Sequence, residues 1–172
     1  MNIATTSIGL SNPKSPENVA SVMRAAGNYR VDRVLYTGER YSWALRRNPN
    51  IPRLSRKVSE HIPLMQVDDL VDALEKNTQI VCVEFAENAI ALPEYRHPDK
   101  AIYIFGPEDG TLEQSIIDRA DAVVYVPTIG CMNLAATVNV VLYDRLAKSS
   151  QEFDHNELIR QSRDTNNTVK VR

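Results

Sequence analysis

Short apolar runs of strand length alternate along this chain with stretches whose apolar residues recur every three or four positions. That alternation points to an α/β domain: a mostly parallel sheet with helices on both faces, since parallel neighbours need a crossover long enough to hold a helix. The spacing predicts strands over 3–9, 31–37, 80–84, 101–105 and 122–126, and helices over 16–28, 68–76, 112–119 and 134–148. The first helix opens on Ser15 and Pro16, a capping residue and then the position where the missing proline N–H costs nothing. Val19, Val22, Met23 and Ala26 follow at helical spacing, and the last helix carries a stripe of Leu134, Val138, Val141, Leu142 and Leu146. With 172 residues, 43% of them apolar, the chain supplies one full-sized core and not two. One domain is expected through residue 150, followed by a polar tail over 151–172 that reads as partly disordered.

Charge narrows the possible partners. Twenty Lys and Arg residues against 22 Asp and Glu leave a net charge of −2, so no global positive field draws in nucleic acid, and any RNA contact needs a local basic patch. No run approaches the roughly 20 apolar residues of a membrane span, and no basic start precedes a signal-like apolar run, so the expected location is the cytoplasm. Cys82 lies in an apolar run and reads as a buried, inert thiol. His61, His97 and His155 are too scattered for a metal site, and no metal is expected.

Three separated segments carry the chemistry. Gly106, directly after the strand over 101–105, lets backbone approach a ligand closely, and Glu108 and Gly110 complete a polar turn; the same residues also suit an ordinary strand-to-helix turn. Asn133 precedes the last helix and suits its N-cap, or alternatively holds a loop over 130–134 that wraps a small cofactor beneath Ile129 and Met132. Asn18 and Arg24 lie six apart on the first helix. Arg24 sits among apolar neighbours and needs a carboxylate, such as Glu108, or a phosphate. Separately, the stretch over 39–57 carries Arg40, Arg46, Arg47, Arg53, Arg56 and Lys57 against one acid, with Tyr41 and Trp43 interleaved. Guanidinium groups bind phosphates and aromatic rings stack on splayed bases, so this stretch is the best candidate for RNA contact; the alternative is a basic loop with no partner.

In order, the segments over 16–24, 105–110 and 126–134 resemble the three motifs of the SpoU/TrmH family of RNA 2'-O-ribose methyltransferases, within the SPOUT superfamily and nearest its small single-domain members. The resemblance implies a C-terminal trefoil knot and S-adenosylmethionine as cofactor. It also implies a homodimer whose active sites use both subunits. By motif, Arg24, Asn18, Glu108 and Asn133 match the catalytic set, and Val83, Gly106, Val126, Ile129, Cys131, Met132 and Leu134 fall where the cofactor binds. The implied substrate is structured RNA, tRNA ahead of rRNA, with a catalytically silent RNA-binding protein of the same fold as the alternative. Two positions depart from the pattern: Cys131 stands where a serine is usual, and Thr111 where a glycine is usual.

Overall fold

A computed structural model describes residues 5–48 and 59–171. Its seven strands are β1 (Thr5–Leu10), β2 (Arg33–Tyr36), β3 (Leu64–Gln66), β4 (Gln79–Val83), β5 (Ile90–Ala91), β6 (Lys100–Phe105) and β7 (Ala122–Tyr125). The helices are α1 (Pro16–Asn28), α2 (Arg40–Arg47), α3 (Gln114–Ile117), α4 (Leu134–Ala147) and α5 (His155–Ser162). The strands form one sheet in the order β3-β2-β1-β6-β4-β7-β5, and every pairing is parallel. The expected α/β class therefore holds. The last long strand enters between β4 and β5, both earlier in the chain, an order consistent with the implied C-terminal knot.

Alternation along the strands divides the core. Ile8, Leu10, Val34, Val81, Tyr103 and Val124 face one side, where α1 adds Val19 and Val22 and α4 adds Val138 and Val141, all fully or almost fully buried. Burying one such side chain contributes about 1.5–3 kcal/mol. Leu35, Cys82, Ile102 and Ile104 face the other side against Leu70 and Leu112. Burial pushes the Cys82 thiol up to about 12, with the Glu84 charge adding to it, which keeps the thiol inert as its setting suggested.

That second side differs from expectation, for the segment over 68–76 is a run of turns rather than a helix. The Asp69 carboxylate accepts from the amides of Val71 and Asp72 and binds Arg119 at 2.6 Å, which fixes one turn, and Asn77 takes a positive φ of 64°. The helix expected over 112–119 is reduced to the four residues of α3. β3 and β5 are too short to register as apolar runs. Residues 155–162 form an exposed helix within the expected tail, capped by Asp154 through the Glu157 amide.

α4 is tied to the segment before β6 by a buried polar network. His97 Nδ1 meets the Tyr103 hydroxyl at 2.7 Å and Nε2 meets Asp144 at 2.8 Å, while Lys148 also binds Asp144 at 2.7 Å. Arg145 donates to the Tyr103 hydroxyl and to the Pro98 carbonyl. Burial holds the His97 ring below its ordinary value, with the Arg145 and Lys148 charges adding to that and Asp144 opposing it. The neutral ring then donates from Nε2 to Asp144 and accepts the tyrosine proton at Nδ1.

Candidate active site

The carboxyl ends of the four adjacent strands β1, β6, β4 and β7 come level: Leu10 lies beside Phe105, Phe105 beside Val83, and Val83 beside Val124. The segments that leave those ends are 11–15 leading into α1, 106–113, 84–89, and 126–133 leading into α4. Between them lies a cleft of about 250 Å³ in the position where open parallel sheets bind ligands.

One end of the cleft is polar and tightly wired. Asn133 caps α4 by accepting from the Ala135 amide at 2.9 Å and the Ala136 amide at 3.3 Å. Its other amide atom, Nδ2, donates to Asn18 Oδ1 at 2.9 Å. Asn18 Nδ2 in turn donates to Glu108 Oε1 at 3.2 Å, and Glu108 accepts the backbone amides of Ser15 at 3.0 Å and Lys14 at 2.9 Å. The N-cap reading of Asn133 therefore holds, and the atom not used in the cap reaches Asn18 on α1 rather than the loop over 130–134. Partial burial works against charge on Glu108, but the Ser15 and Lys14 amides and Asn18 hold its carboxyl below the usual range. It is ionised, with both oxygens engaged.

The rest of the cleft is mixed. Val83, Phe105, Val126, Met132 and Leu134 give it apolar walls, and Gly106 and Cys131 complete the places matched by motif. A β-carbon on Gly106 would stand 3.2 Å from the Leu112 amide nitrogen and 3.3 Å from Glu84 Oε2, so a side chain there would make the Leu112 backbone or Glu84 give by a few tenths of an ångström. Ile129 lies outside the cleft, fully exposed at the apex of its loop, where Thr128 Oγ1 donates to the Gly130 carbonyl and turns the backbone outward. Sequence reasoning missed Glu84, Phe85 and Tyr125. Glu84 accepts the Leu112 amide at 2.9 Å, and the Phe85 and Tyr125 rings stand 5.9 Å apart. The same strand-end rule that marked Gly106 would have found them after β4 and β7.

Arg24 is not in the cleft of its own chain. It lies roughly 120° around α1 from Asn18 and about 9 Å further along the axis, exposed, and it makes no ion pair among the described residues. The acid offered for it, Glu108, is taken by backbone and Asn18. Of the basic stretch, Arg40 binds Asp109 at 2.7 Å, Arg46 approaches Glu39 at 3.5 Å, and Arg47 stacks on Trp43. Arg53, Arg56 and Lys57 fall outside the described residues. Among the described residues no three His, Cys, Asp or Glu side chains gather as metal ligands, and no helix is long and apolar enough to cross a membrane.

The family model described as the SpoU rRNA Methylase family matches residues 5–143. Among solved structures, one concerned with 2-OH methylation of C/U34 on tRNA superposes with a TM-score of 0.70 at 21% identity, covering 86% of this chain and 92% of the other. The A. aeolicus TrmH/SpoU tRNA modifying enzyme gives 0.66 at 16% identity over 84% and 75%. The SpoU methyltransferase AviRb from Streptomyces viridochromogenes, in complex with the cofactor AdoMet, gives 0.69 at 17% identity over 86% of this chain and 59% of its own. At these identities the likeness is one of fold. A search of the curated proteins finds no match.

Proposed function

We propose a reaction for this chain on one established premise: it belongs to the SpoU rRNA Methylase family. The chain transfers the methyl group of S-adenosylmethionine, the family's cofactor, to a ribose 2'-hydroxyl of structured RNA, tRNA ahead of rRNA. It does so in the cytoplasm as a homodimer with a knotted carboxyl-terminal segment. The observation that carries this reading is the hydrogen-bonded chain Asn133–Asn18–Glu108, which joins residues of all three motifs at one end of the cleft.

The donor set fits the cofactor. Apolar walls with aromatic Phe85 and Phe105 suit an adenine ring, while Glu84, Thr128 and Thr137 offer polar partners for its ribose and amino acid parts. Bound there, S-adenosylmethionine supplies an electrophilic methyl on a sulfonium. The chain's own residues do the rest by position. Glu108, ionised and fully engaged, is a weak base and serves as a positioning residue that fixes the Asn18 amide, while Asn133 fixes it from the other side. Holding the acceptor hydroxyl in line is worth several kcal/mol, since a preset geometry replaces an encounter. The partner subunit's Arg24 completes the site. A guanidinium stays protonated at neutral pH, so Arg24 acts as a bidentate clamp on the substrate phosphate that orients the ribose, and the hydroxyl proton leaves by way of that phosphate or water. Exposure of Arg24, away from its own cleft and without a partner, supports a role across the dimer.

The test has two arms. Calorimetric titration of the dimer with S-adenosylhomocysteine should show binding that Arg24→Ala and Arg24→Lys leave intact. Mapping of ribose methylation over total RNA, with and without the protein, should show one class of site that both variants lose by at least tenfold, because a lysine cannot make the bidentate contact. Retained turnover in Arg24→Lys would refute the clamp. Absence of cofactor binding alongside retained RNA binding would replace the enzyme with a silent RNA-binding protein.

A further inference from the structure

Beside the cleft, Lys14, Glu39, Arg40, Trp43, Ala44 and Arg47 line a groove of about 470 Å³. The helix that supplies most of it, α2, fully buries none of its residues; Tyr41 packs against the core, and Trp43 and the arginines of the groove are not explained by it. Trp43 is the single tryptophan of the chain and stays 53% exposed, although the Arg47 guanidinium lies 4.5 Å from its ring centre. An exposed indole flanked by cations is the composition that holds a nucleobase by stacking and its phosphate by charge. Glu39, the acid of the groove, is already engaged: its carboxylate accepts from Gln66 at 2.8 Å and from Arg46 at 3.5 Å.

The groove is coupled to the cleft by one turn. Arg40 Nη2 binds both oxygens of Asp109, at 2.8 and 2.7 Å, and Lys14 Nζ reaches the same carboxylate at 3.4 Å. The next residue, Glu108, accepts the backbone amide of Lys14 and holds Asn18. A strand whose reacting ribose lies at Asn18 would have this groove on the other side of that turn.

We infer that this groove is a second nucleotide subsite, which stacks an unpaired base flanking the target nucleotide on Trp43 and takes its phosphate on Lys14 and Arg47. The inference rests on the RNA methylation reading of the cleft and adds Lys14 to the RNA contacts expected of the stretch that holds Trp43. Arg40 keeps the turn in place and has the remainder of its guanidinium free for the same phosphate.

Because Trp43 is the one indole, its emission reports the subsite directly. The full-length dimer is titrated with a short single-stranded oligoribonucleotide of mixed sequence, following tryptophan emission, and in parallel with a fluorescein-labelled copy, following anisotropy. Saturable quenching is expected at the same midpoint as the anisotropy change. Trp43→Ala should weaken binding on the order of tenfold and Trp43→Phe should restore most of it, as a stacking face requires. Arg47→Ala should lower the slope of log affinity against log salt by about one. Binding by anisotropy with unchanged emission, and with Trp43→Ala equal to wild type, would overturn the subsite while leaving methylation standing. Failure to bind the oligoribonucleotide at all would also overturn it. Quenching in a protein that neither binds S-adenosylhomocysteine nor methylates RNA would instead retain the subsite and refute the reading of the cleft.

Discussion

Replacing Glu108 with glutamine separates its charge from its shape. In the wild type, Oε1 receives the Ser15 amide and the Asn18 side chain while Oε2 receives the Lys14 amide. A glutamine that keeps its carbonyl at Oε1 turns an NH₂ group toward the Lys14 N–H, so one charge-assisted bond is lost and two more lose their charge. A hydrogen bond to a charged group contributes about 1.5–3 kcal/mol, and the half-exposed position lets water recover part of that. The expected cost at neutral pH is about 2 kcal/mol, or roughly 4–8 °C in melting temperature for a domain of this size. The direction of its pKa sets the pH dependence. Folding depresses the carboxyl, so its contribution is present above the unfolded value of about 4.3 and is lost as pH falls through the lower folded value. Urea unfolding followed by far-UV circular dichroism, on both proteins from pH 7 downward, should show the gap between them closing below about pH 5. A gap below about 0.5 kcal/mol at pH 7, or one that stays constant to the lowest pH at which both proteins fold, would refute the network as the reason for this acid.

Asn133→Ala removes the α4 cap, costing about 1 kcal/mol of stability, and also releases Asn18. Asn133→Ser should recover the stability, since a hydroxyl still caps, without recovering ribose methylation of RNA; equal recovery of both would show that the Asn18 contact does nothing. Folding lowers the His97 pKa, so the protonated ring is tolerated less well in the folded than in the unfolded chain. Stability in urea should therefore decline as pH falls below the unfolded histidine value of about 6.5, and His97→Gln should flatten that decline.

The strands and the site were legible to different degrees. β2, β4, β6 and β7 hold apolar runs because both faces of a parallel sheet are covered, β1 carries its apolar residues at Ile8 and Leu10 after Thr5, Thr6 and Ser7, and α1 and α4 announce themselves by period and cap. α2 sets only Tyr41 against the core, so no apolar period marks it, and its arginines read only as a charged strip. The segment over 68–76 has helical spacing in Leu70, Val71 and Leu74, but Asp69 and Arg119, fifty residues apart, hold it in turns through a contact that no local pattern reveals. Arg24 shows the same limit: its spacing from Asn18 says that the two point apart on α1, and under the proposed dimer the cleft it serves is set by a second chain.

The cleft residues were legible because the geometry of this site is made by helix capping. Glu108 receives the amides that lead into α1 and takes Asn18 Nδ2 on the oxygen it shares with Ser15, while Asn133 receives those that open α4 and has Nδ2 left over to meet Asn18. Asn133 is visible in sequence as the cap of α4, and under the proposed function it and Glu108 set the acceptor end of the cleft. It follows that the two departures from the family pattern fall outside this machinery. Cys131 is exposed on its loop, and Thr111 meets the Gly106 turn through its backbone, so neither touches the Asn133–Asn18–Glu108 chain. A thiol for a hydroxyl at position 131 bears on how the loop closes over the cofactor. Under the proposed function, the Asn18 amide that would align the ribose keeps both of its hydrogen bonds.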